Sequence, residues 1–187
     1  CGCQAGRTSN ECTGIVFALD LFYDVIDECE KQNANLIVTH HPAVFVPLKS
    51  VTDQTYTGEM ILKCIEKDIS VYSSHTNLDW VNGGVNDVIT DLLNLSDVSA
   101  LRKFEDDKLL KYSIGEGRIG KIEKTTLSEF AKNIKNVFDA PNIIFYGDEN
   151  KKIEKVAVLG GSGMDFAEDA LKSGADVLVT ADIKYHG

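Results

Sequence analysis

Short apolar runs alternate with amphipathic stretches along most of the chain. "TGIVFALD" (Thr13–Asp20) is an apolar run of strand length. Leu21, Phe22, Val25, Ile26 and Cys29 then recur at helical spacing and predict a helix over Leu21–Gln32. Ala34–Thr39 reads as a second strand and Gly58–Lys67 as a second helix, with Met60, Ile61, Cys64 and Ile65 on one side. "ISVYSSH" (Ile69–His75) returns as strand, and Gly83 and Gly84 break the chain before a helix over Val85–Leu93. From Leu95 to Lys111 the pattern fades and charge rises. A second series follows: a strand with glycine bends at "YSIGEGRIG" (Tyr112–Gly120), a helix over Leu127–Phe138 capped by Ser128, and strands at "NIIFYGD" (Asn142–Asp148) and "KVAVLGG" (Lys155–Gly161). It closes with a helix over Phe166–Lys172, stopped by Gly174, and a strand at "DVLVTAD" (Asp176–Asp182).

Such alternation predicts an α/β protein of two similar lobes, each a mainly parallel sheet flanked by helices. The fading pattern places the lobes at 1–98 and 99–187. A weak internal echo supports the pairing: "ANLIVTHH" (Ala34–His41) and "ADVLVTAD" (Ala175–Asp182) each follow a helix and end in threonine plus two polar residues. Open α/β sheets place ligands at the carboxyl ends of such strands.

Composition narrows the function. The 187 residues carry a net charge of -10, which makes nucleic acid an unfavoured partner, since it needs a basic footprint. No apolar run reaches the roughly 18 residues of a membrane span. Of the five cysteines, Cys29 and Cys64 fall on apolar helix faces and read as buried thiols. Cys1 and Cys3 form a C-x-C that reads as reduced thiols before it reads as a metal site. A reducing, cytoplasmic compartment fits this usage.

The chemistry concentrates at strand ends. His40 and His41, half of the four histidines in the chain, follow an apolar strand directly and precede Pro42. Successive strand side chains point to opposite faces, so two neighbouring imidazoles serve two ions a short distance apart better than one compact ion. The alternative is a pair of exposed histidines with no ligand. "SSHTNLD" (Ser73–Asp79) adds His75 and Asp79 at the end of another strand. Imidazole with carboxylate suits Zn, Fe, Mn, Ni or Co without selecting among them, and a pair of ions points to hydrolytic chemistry. The glycine turns "LGGSG" (Leu159–Gly163) and "GGVND" (Gly83–Asp87) lie between predicted elements, where backbone amides can hold an anion or simply make a turn.

Taken together and in this order, "GCQAGR", "LIVTHHP", "SSHTNLD" with "GGVND", and "GGSG…ADVLVTADIKYH" resemble the Nif-three-like family, also known as GTP cyclohydrolase I type 2 homologues. The resemblance spans nearly the whole chain and implies two α/β lobes in the compact family form, a centre of two divalent metal ions, and a homo-oligomer, commonly a hexamer. It maps metal ligands onto His40, His41 and Asp79. The family's further histidine and glutamate ligands come from a C-terminal motif that is not in this sequence, so truncation before that motif is the expectation. His75 is expected to line the site in a catalytic role, together with Asp182 and His186. Two functions follow as alternatives: a metal-dependent hydrolase acting on a nucleotide or related phosphorylated small molecule, or a non-catalytic metal-handling or regulatory interaction protein.

Overall fold

The computed structural model describes residues 1–104 and 114–183. The chain forms two compact units, Cys1–Asn77 and Leu78–Gly187. In the first, β1 (Gly2–Ala5), β2 (Ile15–Ala18), α1 (Tyr23–Lys31), β3 (Leu36–Thr39), α2 (Tyr56–Glu66) and β4 (Ser70–Ser73) build a four-stranded sheet of order β1-β4-β3-β2. The β2/β3 and β3/β4 pairs are parallel, and β1 is an antiparallel edge. The core lies between sheet and helices. Ile37 on β3 and Val71 on β4 pack with Ile26 and Cys29 of α1 and with Met60 and Cys64 of α2. Cys29 and Cys64 are fully buried, and burial pushes the Cys64 thiol up to about 11, so it stays protonated and inert.

Strand periodicity explains one feature that matters below. On β3 and β4 alternate residues are buried: Ile37 and Thr39, Val71 and Ser73. The inward positions next to the strand ends are therefore polar, where the pattern calls for another aliphatic pair.

The chain crosses between units inside α3 (Thr76–Trp80). The second unit then contains α4 (Val85–Leu92), β5 (Ser96–Lys103), β6 (Gly115–Thr126), α5 (Leu127–Val137), β7 (Lys152–Val158), a single 3₁₀ turn (Met164–Phe166), α6 (Ala167–Lys172) and β8 (Val177–Val179). Its sheet has the order β5-β6-β7-β8. The α/β class with two four-stranded sheets flanked by helices is as expected, but strand direction differs. Only the first sheet is mainly parallel, whereas here β5/β6 and β6/β7 are antiparallel and β7/β8 alone is parallel. Helix α4 packs on β6 and β7, which puts it in the same unit as the second sheet.

Three local expectations change. The cap of α5 is Thr126, not Ser128: the Thr126 hydroxyl accepts from the Glu129 N–H while the Glu129 carboxylate accepts from the Thr126 N–H, a capping box. Those bonds hold the Glu129 carboxyl below its ordinary range. "NIIFYGD" is not a strand; Ile144 and Tyr146 are largely exposed, so no packed face forms there. Conversely β5 forms where the pattern had faded. It is an edge strand with only Ala100 and Leu101 buried, so it leaves little periodicity in the sequence.

The α3–α4 turn is tightly specified. Gly83 adopts φ +73°, and a Cβ on Gly84 would sit 1.8 Å from the Leu78 carbonyl oxygen. Asn86, 1 % exposed, spans this unit: its Nδ2 donates to the Asp79 carbonyl at 3.0 Å and its Oδ1 accepts from the Gly160 N–H at 2.9 Å. Asn86→Ala leaves both backbone groups without their partner. We expect a loss of about 1–3 kcal/mol, read as a lower urea midpoint at unchanged slope.

Candidate metal centre

Strands β2, β3 and β4 run parallel in neighbouring positions, so their carboxyl ends emerge side by side. Each end delivers a polar residue to one place: Asp20 after β2, His40 and His41 after β3, and Ser74 and His75 after β4. The β2/β3 ladder continues past the strands, with the His40 N–H donating to Ala18 O at 3.2 Å and the His41 N–H to Leu19 O at 2.9 Å. From the other side the Ser74 N–H donates to Thr39 O at 2.8 Å.

The three rings meet. Centroids lie 5.1 Å apart for His40/His41, 5.0 Å for His40/His75 and 5.8 Å for His41/His75, with mutual tilts of 57–67°. One ligand nitrogen from each lies within 4.8 Å of those from the other two. Among the described residues this trio is the one group of three or more histidine, cysteine, aspartate or glutamate side chains close enough to share an ion. Strand alternation had suggested that adjacent histidines diverge. They do not, because β3 stops at Thr39 and both histidines sit in a bend.

Hydrogen bonding fixes which nitrogen each ring offers. His40 Nδ1 lies 3.0 Å from the Ser74 carbonyl oxygen and His41 Nδ1 lies 2.8 Å from Asp20 Oδ1. Carbonyl and carboxylate oxygens accept, so each Nδ1 carries the proton and each neutral ring keeps its lone pair on Nε2. A carboxylate or carbonyl behind a histidine is the usual outer support of a metal-binding imidazole. The donor set therefore fits a divalent ion: two ligand nitrogens at about 2.0–2.1 Å from one ion lie at most about 4.2 Å apart, so small ring movements close the trio. Asp20 was not among the candidates read from the sequence. It ends the run "TGIVFALD", but its role depends on β2 lying beside β3. Asp20→Ala is expected to weaken metal binding about 10–100-fold, read by competition against a chromophoric chelator.

Asp79 is on α3 in the second unit, partly buried, its backbone carbonyl held by Asn86. Asp182 is exposed after β8, and its N–H donates to Gly161 O at 3.1 Å. His186 falls outside the described residues. Both glycine turns use amides internally. Gly160 N–H donates to Asn86, Gly163 N–H to Thr180 Oγ1 at 2.8 Å, Gly83 N–H to Asp87 Oδ2 at 2.6 Å and Gly84 N–H to Val81 O at 3.1 Å. These four amides build turns and are not held ready for an anion.

Comparison with known proteins agrees with the strand-end motifs. The whole chain, residues 1–187, matches the family described as Duf34/NIF3 (NGG1p interacting factor 3). The chain belongs to the Duf34/NIF3 family. A Duf34/NIF3 relative from Clostridium acetobutylicum, named GTP cyclohydrolase 1 type 2 homolog, is 40% identical over 186 residues, 99% of this chain and 68% of the relative. Among solved structures, the Staphylococcus aureus hypothetical protein SA1388 superposes with a TM-score of 0.85 at 30% identity, covering 99% of this chain and 72% of that one. Reduced HcgD from Methanocaldococcus jannaschii is similar with a TM-score of 0.72 at 31% identity, covering 99% and 70%. Among the described residues no helix is long and apolar enough to cross a membrane.

Proposed function

We propose that this Duf34/NIF3 chain binds divalent metal through His40, His41 and His75 and is a metal-dependent hydrolase acting on a nucleotide or related phosphorylated compound. The observation that carries the metal reading is the pair of occupied Nδ1 atoms, which leaves Nε2 of His40 and His41 as the basic nitrogens within a three-imidazole cluster. An ion held there supplies a Lewis acid and an acidified water. The chain's own part is to hold and orient: Asp20 and the Ser74 carbonyl set ring tautomer and rotation, and the ladder to β2 fixes the backbone beneath both histidines. The substrate class comes from the relative's name, GTP cyclohydrolase 1 type 2 homolog.

Two ions per chain, with Asp79 as a ligand of one, is the stoichiometry taken from the family resemblance. Elemental analysis then gives two ions in the wild type and one in Asp79→Ala. A homohexamer is proposed on the same ground, and a monomeric mass in solution contradicts it. The second reading, a metal-handling or regulatory interaction protein, is favoured by the family description as an interacting factor. Turnover of a nucleoside triphosphate panel, with and without added metal and in His40→Ala, separates the two. Metal-dependent turnover that vanishes in His40→Ala supports the hydrolase. Bound metal without turnover of any nucleotide supports the second reading.

A further inference from the structure

Thr39 and Ser73 occupy the last inward positions of β3 and β4 and face one another across the parallel register. They are 1 % and 0 % exposed. Directly beneath them in the same face are Ile37 and Val71, both fully buried. A hydroxyl pair in such a place costs stability relative to valine unless each group is hydrogen-bonded. Both are. Thr39 Oγ1 lies 2.9 Å from Ser73 Oγ and 2.8 Å from the His41 carbonyl oxygen.

Chemistry assigns the direction of these bonds. Thr39 has one hydroxyl proton, and the His41 carbonyl can only accept it. The proton between Thr39 and Ser73 therefore belongs to Ser73. The chain of bonds runs Ser73 Oγ–H to Thr39 Oγ1–H to O=C of His41. It ties the carbonyl two residues ahead back onto the strand end through a local side-chain-to-backbone bond. The segment so tied is the bend which abolishes strand alternation at His40 and His41 and brings their rings together. Each of the other supports holds a different part of the segment: the β2 carbonyls bind the two N–H groups, and Asp20 and Ser74 bind the two Nδ1 atoms. The hydroxyl pair holds the His41 carbonyl.

We infer that Thr39, backed by Ser73, is the positioning residue that shapes the two-histidine bend into a metal-binding geometry. Thr39 acts through the His41 backbone carbonyl, and Ser73 acts through the Thr39 hydroxyl. The inference rests on the metal reading above. It also accounts for two buried hydroxyls that sheet packing alone does not require, since valine suits an inward strand position better.

The test compares Thr39→Val, which keeps the β-branched shape and removes the hydroxyl, with Thr39→Ser, which keeps the hydroxyl. Affinity for Co²⁺ or Zn²⁺ alone is measured by chelator competition, the visible spectrum of bound Co²⁺ reports ligand geometry, and thermal unfolding without metal reports the fold. The expected result for Thr39→Val is a loss of about 10–100-fold in affinity, the range for a group that orients a ligand, with a changed Co²⁺ spectrum. Thr39→Ser recovers wild-type affinity and spectrum. Ser73→Ala, which leaves the Thr39–His41 bond in place, loses less than Thr39→Val. Should Thr39→Val fail to fold, Thr39→Ala replaces it, since it also lacks the hydroxyl and adds no metal ligand. A wild-type affinity and spectrum in the folded hydroxyl-free variant overturns the positioning role while leaving the metal reading intact. Absence of any metal binding by the wild-type chain overturns the metal reading and the positioning role together.

Discussion

His40→Ala/His41→Ala is expected to lose metal affinity by well over hundredfold while remaining folded. The fold expectation follows from exposure. Both side chains sit beyond the last core position of β3, His41 is exposed and His40 partly so, and neither belongs to the cluster around Ile37 and Val71. Their backbone N–H bonds to Ala18 and Leu19 survive substitution by alanine. The affinity expectation follows from the ligand count: two of three imidazoles go, and loss of an outer support alone costs about 10–100-fold. Equilibrium dialysis with elemental analysis measures the first effect, and circular dichroism with thermal unfolding measures the second. Retained stoichiometric binding in this variant would move the site elsewhere, the exposed thiols of Cys1, Cys3 and Cys12 being the next donors to examine.

Arg118→Met is the substitution with the largest expected effect on stability. Arg118 is 3 % exposed on β6, and all five of its N–H groups donate. Nε binds the Asp87 carboxylate. One terminal nitrogen binds the carbonyls of Gly115 and Gly117, both at 2.9 Å. The other binds those of Trp80 and Val81 at 3.3 and 3.1 Å. The side chain thus ties the turn between α3 and α4 to the sheet of the second unit. Methionine fills much of the volume but leaves a partly buried carboxylate and four carbonyls without their donor. Removing one partner of a buried ion pair costs about 3–5 kcal/mol, and urea unfolding should show a loss of that order. Adding Asp87→Asn should recover part of it, because the uncompensated charge goes. A loss below about 1 kcal/mol would mean that water replaces the guanidinium at little cost.

These two substitutions mark what the sequence could and could not disclose. The alternating runs placed β2, β3, β4, β7 and β8 and most helices, because buried strands and amphipathic helices carry their own periodicity. The exposed strand β5 does not. β5 has six of eight residues exposed or nearly so, and an apolar run such as Asn142–Asp148 proves nothing without a partner to cover it. Strand direction in the second unit was illegible for another reason: helix α5 lies between β6 and β7, yet the pair is antiparallel, so alternation alone does not dictate a parallel return.

The site was partly legible on the same terms. "THHP" and "SSH" announced polar residues at strand ends, and the parallel β3/β4 pair brings His40, His41 and His75 together. The bend was hidden because it depends on where β3 ends and on what the Thr39 hydroxyl meets. Asp20 was hidden because pairing of β2 with β3 is a tertiary fact. Both threonines of the internal echo use their hydroxyl to hold a carbonyl at a strand end. Thr180 Oγ1 donates to Gly161 O at 2.9 Å at the end of β8, as Thr39 Oγ1 does to His41 O at the end of β3. Thr39 thus holds the bend that follows its own strand, whereas Thr180 holds the glycine turn that follows the neighbouring β7.

Anomalous diffraction from crystals equilibrated with Co²⁺ or Zn²⁺ decides whether the three strand-end imidazoles form a metal centre with Nε2 of His40 and His41 as donors. The expected result is a strong peak within ligand distance, about 2.0–2.1 Å, of Nε2 of His40 or His41, with the Nδ1 bonds to Ser74 and Asp20 preserved. A fully occupied ion bound through either Nδ1, or a strong peak remote from all three rings with none among them, rules out a metal centre built on these Nε2 atoms.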